Sequence, residues 1–355
     1  MRLAVRFAGS RGLEPKIFDA TCRIAVAMLT ILLYVAKFFA VFGFGAAALT
    51  AQTAAQELKF QGPVKLYVGF AAGGQSDILA RVMADKLKDR IGRAVVVENK
   101  TGAAGRLAVE AVKSAPPDGS AFVLANIAQM SVAPLIYKDL PYDPLKDFTA
   151  IGKVADFQIA LVTGKQTGAG DWSQTLAWLR ANPTKATSGN PGSGSLPHLY
   201  GFELASAIGV RLEPIPYRGG APIVAAIAQG ELAIGWASVT DFIEQHRAGQ
   251  VRIIAVTGAS RSPQLPDVPT FTELSIPAVS ENGWIGMFGP AGLPPDVAAL
   301  FVREVGAVLA DSAVRQRLES LGLIVAPGTP SAMMDRIRAE LARWKPVVDK
   351  AEIKP

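Results

Sequence analysis

The stretch Val64-Lys65-Leu66-Tyr67-Val68-Gly69-Phe70-Ala71-Ala72-Gly73-Gly74-Gln75-Ser76-Asp77 runs from apolar residues into a glycine-rich turn, and a helical pattern follows at once. Residues 64–70 read as a strand. Over 77–90, Leu79, Val82, Met83 and Leu87 share one face, the spacing of an amphipathic helix. Glycines let backbone N–H groups approach a ligand closely. The first turn of a helix adds unpaired donors and a partial positive charge. Such a unit suits an anion such as a carboxylate; its plain alternative is an ordinary tight turn. The candidate ligand residues here are Phe70, Ala71, Ala72, Gly73, Gly74, Ser76 and Asp77, with Asp77 better placed to cap the helix than to touch an anion. The turn lacks the Lys-Ser/Thr ending of a phosphate-binding P-loop, which disfavours nucleotide hydrolysis.

Outward from this unit, 94–97 is an unbroken apolar run suited to a strand buried on both faces. A helix over 106–113 and a strand over 121–125 complete a βαβαβ series, the pattern of a right-handed parallel sheet. A second series follows Asp171, which forms a capping-box pattern with Gln174 ahead of a helix at 172–181. Strands at 187–189, 211–215, 232–236 and 251–257 alternate with helices at 199–208, 222–228 and 240–248. Gly209, Gly230 and Gly249 stand where those helices should stop. A proline-rich loop (Pro263, Pro266, Pro269, Pro277), a strand at 284–288 and helices at 296–310, 313–321 and 331–348 close the chain. The pattern predicts an α/β protein of two units with a ligand cleft between them, where strand-end loops hold the ligand. No internal repeat is evident.

Three further strand ends carry polar or aromatic residues. Gly189-Asn190-Pro191-Gly192-Ser193-Gly194-Ser195-Leu196-Pro197-His198 precedes a helix and offers backbone donors and hydroxyls. Asn190, Gly192, Ser193, Gly194, Ser195 and His198 are candidates for ligand binding. A hydrolase would instead use Ser193 or Ser195 as nucleophile and His198 as base. The three-residue spacing, the lack of a carboxylate partner and the lack of a Gly-x-Ser-x-Gly elbow argue against it. His198 alone suits packing or capping, and His246 surface or core. In Pro216-Tyr217-Arg218-Gly219, Arg218 either grips a carboxylate or is solvated surface. Trp236, ahead of Ala237 and Ser238, either stacks on a ligand or fills core.

Composition narrows the chemistry. The 355 residues hold 36 Lys+Arg, 30 Asp+Glu, two His and one Cys, a net charge of +6. One cysteine excludes a disulfide scaffold and a cysteine-rich metal site. The basic residues Arg2, Arg6, Arg11, Lys16, Arg23 and Lys37 face only Glu14 and Asp19 within 1–55, so residues 56–355 carry 30 basic and 28 acidic groups. No basic run or aromatic-interleaved patch remains there to favour nucleic acid. The basic start, the apolar stretch 24–49 and the small residues around Ala51 and Ala55 read as an export signal. The rival reading is an uncleaved membrane anchor over 24–49. Translation from Met28 would leave a conventional short signal. Cys22 lies inside this segment, ahead of the apolar stretch, and does not resemble a lipid-attachment cysteine.

From Val64 to about Trp344 the chain resembles the substrate-binding proteins of tripartite tricarboxylate transporters, the Bug/TctC family. The resemblance rests on Val97-Glu98-Asn99-Lys100 with Gly102, Ala103 and Gly105; on Pro117-Asp118-Gly119; and on Leu140-Pro141-Tyr142-Asp143-Pro144 with Asp147-Phe148. It continues through Pro216-Tyr217-Arg218-Gly219, Ala255-Val256-Thr257, Arg261-Ser262-Pro263, Leu265-Pro266-Asp267-Val268-Pro269-Thr270 and Phe288-Gly289-Pro290-Ala291-Gly292. It implies a type II periplasmic-binding-protein fold: a leader over 1–55, one α/β domain from 62–160 plus 287–355, and a second from 161–286. It implies a monomeric periplasmic receptor, not an enzyme and without a cofactor or metal, that hands a small carboxylate to membrane permease subunits. A sensor-kinase partner would be an alternative. The resemblance places the carboxylate on backbone amides and waters from loops matching 70–77 and 190–198. Ala71-Ala72 replace the usual paired prolines. Asn126, Gln129 and Met130 stand where Ser/Thr-rich residues and a His are common, and Ala237-Ser238 where Asp-Asn is frequent. The missing Asp argues against an amino group on the ligand there. Trp236 and Met130 point to a larger or aromatic carboxylate.

Overall fold

The computed structural model describes residues 62–351 and 353; the leader expected at 1–55 lies outside them. The opening unit folds as β1 (Val64–Val68), α1 (Gln75–Ile91), β2 (Val95–Asn99), α2 (Arg106–Lys113) and β3 (Ala121–Asn126), with β1 parallel to both β2 and β3. Val64, Leu66 and Val68 are buried because β1 has helices on its faces. Leu79, Met83 and Leu87 point from α1 into this core, as their spacing predicts. A π-turn over Ala128–Val132 leads to the short α3 (Ala133–Ile136).

The sheets are mixed rather than purely parallel. The first has the order β11-β4-β10-β3-β1-β2, in which β4 (Phe148–Phe157), β10 (Gly283–Pro290) and β11 (Leu323–Gly328) pair antiparallel. The second has the order β7-β6-β8-β5-β9. It contains β5 (Ile159–Thr163), β6 (Thr187–Asn190), β7 (Glu213–Pro216), β8 (Ile234–Ser238) and β9 (Arg252–Val256), with β5 antiparallel to both neighbours. Its helices are α4 (Trp172–Ala181), α5 (Leu196–Ile208), α6 (Gly220–Gln229) and α7 (Val239–Arg247). The antiparallel β4, β5 and β11 escape the sequence reading: no helix separates β4 from β5, and β11 is a short strand wedged between two helical patterns. In β4, Gly152 also breaks the apolar run: a methyl there would lie 2.3 Å from the Gly328 carbonyl.

Each sheet with its helices forms a lobe. The chain passes from lobe 1 to lobe 2 between β4 and β5, through Gln158 alone, and returns through 257–282. The crossings are tied together. Gln158 Nε2 donates to the Thr257 carbonyl at 2.7 Å, and Thr257 Oγ1 donates to Asn282 at 2.9 Å. After α8 (Pro295–Ala310) and α9 (Ser312–Ser320), α10 (Pro330–Lys350) packs beside the crossings. Its Glu340 accepts from Trp284 Nε1 at 2.8 Å and from Ser131 Oγ at 2.7 Å, and its Trp344 meets Tyr200 of lobe 2 edge-on at 5.9 Å. Trp284, Trp344, Tyr200 and Trp236 are fully buried, so the large aromatic area that drives folding sits around the crossings. No described helix is long and apolar enough to span a membrane.

Candidate functional site

In lobe 1 the loop after β1 is held from beneath. Asp77 lies 2% exposed in the first turn of α1. Its carboxylate accepts from the Gly73 N–H (2.8 Å), Arg81 Nε (2.9 Å) and Asn99 Nδ2 (2.9 Å). Asn99 Nδ2 also donates to the Phe70 carbonyl at 3.0 Å. Burial alone would raise the Asp77 pKa, but the bonds from Arg81, Gly73 and Asn99 outweigh it and hold the group below its ordinary value. Asp77 therefore fixes the loop and has no free oxygen turned to a ligand. Phe70, Ala71, Ala72, Gly73 and Gly74 are exposed and Ser76 is buried. Gly74 stands at the N-cap without a side-chain cap, which leaves the first amides of α1 open to an acceptor.

The floor of this loop is a close backbone crossing. A methyl on Gly69 would lie 2.5 Å from the Gly105 backbone. Gly102, Ala103, Ala104 and Gly105 all have positive φ, a left-handed turn that costs about 1–2 kcal/mol at each alanine. Gln129 holds it: Nε2 donates to the Ala104 carbonyl (2.9 Å) and Oε1 accepts from the Asn126 N–H (2.8 Å). Asn126 Oδ1 accepts from the Ala128 N–H. Asn126 and Gln129 are thus occupied in bracing the site.

In lobe 2 the loop after β6 is built on the same plan with different chemistry. Ser195 caps α5, its Oγ accepting from the His198 N–H at 3.3 Å. His198 Nδ1 accepts from the Gly194 N–H at 3.1 Å, so the imidazole faces the loop backbone and not Ser195 Oγ. Burial pushes the His198 pKa down to about 4. A neutral imidazole already bonded to an amide is not a base for Ser195, which removes the hydrolase alternative. Asn190 is 1% exposed; Oδ1 accepts from the Gly192 N–H at 3.1 Å, while Nδ2 is buried without a protein partner. A cavity of about 10 Å³, room for one water, is lined by Ser188, Asn190 and His198. Gly192 and Ser193 are half-buried.

The lobes meet at these loops. A methyl on Gly194 would come within 2.5 Å of Ile136 Cδ1 in lobe 1. Ser238 Oγ, at the end of β8, donates to Gln75 Oε1 at 3.3 Å across the gap. Sequence reasoning missed Gln75, the braces Asn99 and Arg81, and Asp241. The last accepts from the Ser238 N–H at 3.1 Å. Burial raises Asp241 to about 6. Its side chain nevertheless keeps open surface, so water screens part of that effect.

Other candidates stand elsewhere. Trp236 is fully buried, bonded to Ser188 Oγ at 3.2 Å and stacked on Phe271 at 5.5 Å, so it is core; Met130 and Ala237 are buried too. The aromatic-ligand hint that rested on Trp236 and Met130 loses its basis. Tyr217 packs its ring against Gly189 and the lobe 2 core. Arg218 is exposed with no ion pair among the described residues. A larger concavity of about 700 Å³ lies beside the crossings, lined by Asp156, Asn282, Arg336 and Arg343 and by none of the loop candidates. No His/Cys/Asp/Glu cluster suited to a metal occurs among the described residues.

Residues 79–353 match the family described as tripartite tricarboxylate transporter family receptor. The chain is 32% identical over 309 residues to the UPF0065 protein of the tcbD-tcbE intergenic region of Pseudomonas sp. strain P51, covering 86% of this chain and 92% of that one. Among solved structures it is similar to Rpa4515 of R. palustris with adipate (TM-score 0.76, 29% identity, 82% of this chain and 98% of that one). It is also similar to MatC from Rhodopseudomonas palustris with bound malate (TM-score 0.71, 28% identity, 81% and 98%).

Proposed function

Because this chain belongs to the tripartite tricarboxylate transporter receptor family, whose members are binding proteins and not enzymes, we propose that it is a periplasmic receptor for a small di- or tricarboxylate. It delivers that ligand to the membrane permease subunits of its transporter. The observation that carries the reading is the pair of glycine-rich loops, Gly73–Asp77 and Gly194–His198, each of which touches the other lobe. Each opens a helix and each is braced from behind. In lobe 1 the helix start carries no side-chain cap and leaves the first amides of α1 as donors, whereas in lobe 2 the Gly194, Ser195 and His198 N–H groups are engaged within the loop and Pro197 has none. Capture by amides rather than by a buried cation binds an anion without a counter-charge that would slow release. The malate and adipate named with two similar structures are ligands of this class.

Thermal melting of the exported protein against mono-, di- and tricarboxylates tests the proposal. A di- or tricarboxylate should raise the melting temperature in proportion to the logarithm of its concentration. Stabilisation by amino acids or sugars, with none by any carboxylate, would overturn it.

A further inference from the structure

The contact between Gln75 and Ser238 joins the first residue of α1 in lobe 1 to the last residue of β8 in lobe 2. In that contact the Ser238 hydroxyl donates and Gln75 Oε1 accepts, at 3.3 Å. Ser238 is itself fixed, its N–H donating to Asp241. The arrangement settles what the rest of the Gln75 amide can do. With Ser238 paired to Oε1, Nε2 and its two N–H donors are left without Ser238 as a partner. Nε2 is buried and has no partner in the protein. A buried donor left unpaired costs about 1–3 kcal/mol, so the site gains by offering it an acceptor. The loop that carries Gln75 is the one whose glycines and bare helix start are open in front.

Resting on the carboxylate-receptor reading above, we infer that Gln75 is a specificity-determining residue that couples two events. Its Nε2 takes an acceptor oxygen of the ligand while its Oε1 holds lobe 2 through Ser238. A ligand oxygen on Nε2 polarises the amide and strengthens the bond that Oε1 accepts. Capture and closure thus reinforce one another through a single side chain. The ligand class follows: at this point it presents a carboxylate, carbonyl or hydroxyl oxygen, and an ammonium group is excluded.

Two substitutions separate the halves of the inference. Gln75→Glu keeps an oxygen for Ser238 but removes the donors and adds a negative charge. Ser238→Ala keeps the donors but removes the latch. Binding of succinate, malate and adipate is measured calorimetrically for the parent, Gln75→Glu and Ser238→Ala proteins, with ligand-free melting temperatures as the folding control. For whichever of these acids the parent binds, Gln75→Glu should weaken binding more than tenfold. Ser238→Ala should weaken all of them by a common three- to tenfold, with less compaction in small-angle scattering on saturation. A correctly melting Gln75→Glu protein that binds within twofold of the parent would overturn the donor role. An unchanged Ser238→Ala protein would overturn the coupling. If the parent binds no carboxylate at all, the receptor reading itself fails and takes this inference with it, a result distinct from parent and variants binding alike.

Discussion

The two ligand loops use one backbone device with different acceptors. In each, a glycine of positive φ stands just before a helix N-cap: Gly73 at +81° and Gly194 at +75°. In each, the side chain four residues on accepts that glycine's N–H: Asp77 at 2.8 Å and His198 Nδ1 at 3.1 Å. Lobe 1 uses a carboxylate and balances it with Arg81. Lobe 2 uses a buried neutral imidazole, kept neutral by burial alone. Neither loop therefore presents a net charge to its ligand. The shape is fixed by the position of the acceptor, and its charge is free to differ so long as it is cancelled locally. What differs is the pH at which each acceptor is lost.

The largest test of the comparison is acid. His198 titrates at about 4 in the folded protein against 6.5 when free, so the folded state binds the proton less well. Its stabilising contribution is complete above pH 6.5 and is lost as the pH falls toward 4, amounting to about 3 kcal/mol. Asp241, raised to about 6, acts in the opposite sense: its contribution is present at low pH and lost as the pH rises through 6. The difference between parent and His198→Gln isolates the histidine, since a glutamine oxygen can accept from Gly194 without titrating. Denaturant unfolding at steps from pH 7 to 4 should show the parent losing about 3 kcal/mol more than the variant. Parallel pH profiles would mean that His198 does not hold the lobe 2 loop through its neutral form.

Next comes the acceptor of lobe 1. Asp77→Ala leaves the Gly73 N–H, the Asn99 amide and Arg81 without their common partner. It should cost about 2 kcal/mol at pH 7, the scale of a buried hydrogen-bonded group removed on one side. Because the folded Asp77 pKa lies below 3.8, its contribution is present above that value and lost only as the pH falls through it. The parent and Asp77→Ala should therefore run parallel between pH 7 and 5, where the histidine effect already shows. A gap that narrows between pH 7 and 5 would contradict the assignment.

Much of this fold is legible in the sequence, and the boundary is physical. Helix α2 and helix α4 fall where periodicity and the Asp171–Gln174 cap place them, because local patterning decides them. Strands β4, β5 and β11 do not, because nothing in the local pattern marks them: β4 and β5 follow one another without an intervening helix, and β11 is short and only partly buried. At the site, both loops are legible as glycine-rich helix starts, and Asp77 and His198 are visible as polar residues within them. Their shared role is readable only once the spacing from Gly73 to Asp77 is set beside that from Gly194 to His198. Gln129 and Gln75 show the limit. Gln129 stands out in the sequence only as a candidate ligand residue and Gln75 not at all, and only tertiary contact reveals one as a brace under Ala104 and the other as a bridge to Ser238.

The smallest effects lie at the N-caps, where the loops part company. Lobe 2 spends a side chain there, Ser195 on the His198 N–H, whereas lobe 1 has Gly74 and no side-chain cap. Gly74 does not need glycine's freedom, since its φ of −76° and ψ of 166° suit any residue. Ser195→Ala should cost about 1 kcal/mol, the worth of an ordinary cap. Gly74→Ser should change ligand-free stability by only about 0.5 kcal/mol. It gains a cap, but its Cβ would lie a tight 3.2 Å from the Ala71 carbonyl. Its effect on binding should be larger than its effect on stability. A serine hydroxyl in that place competes for the α1 amides that the proposed ligand uses, so carboxylate affinity should fall several-fold while the melting temperature barely moves. If Gly74→Ser instead gains a full cap's stability and binds as the parent does, the open amides of α1 serve no ligand, and lobe 2 alone would carry the anion.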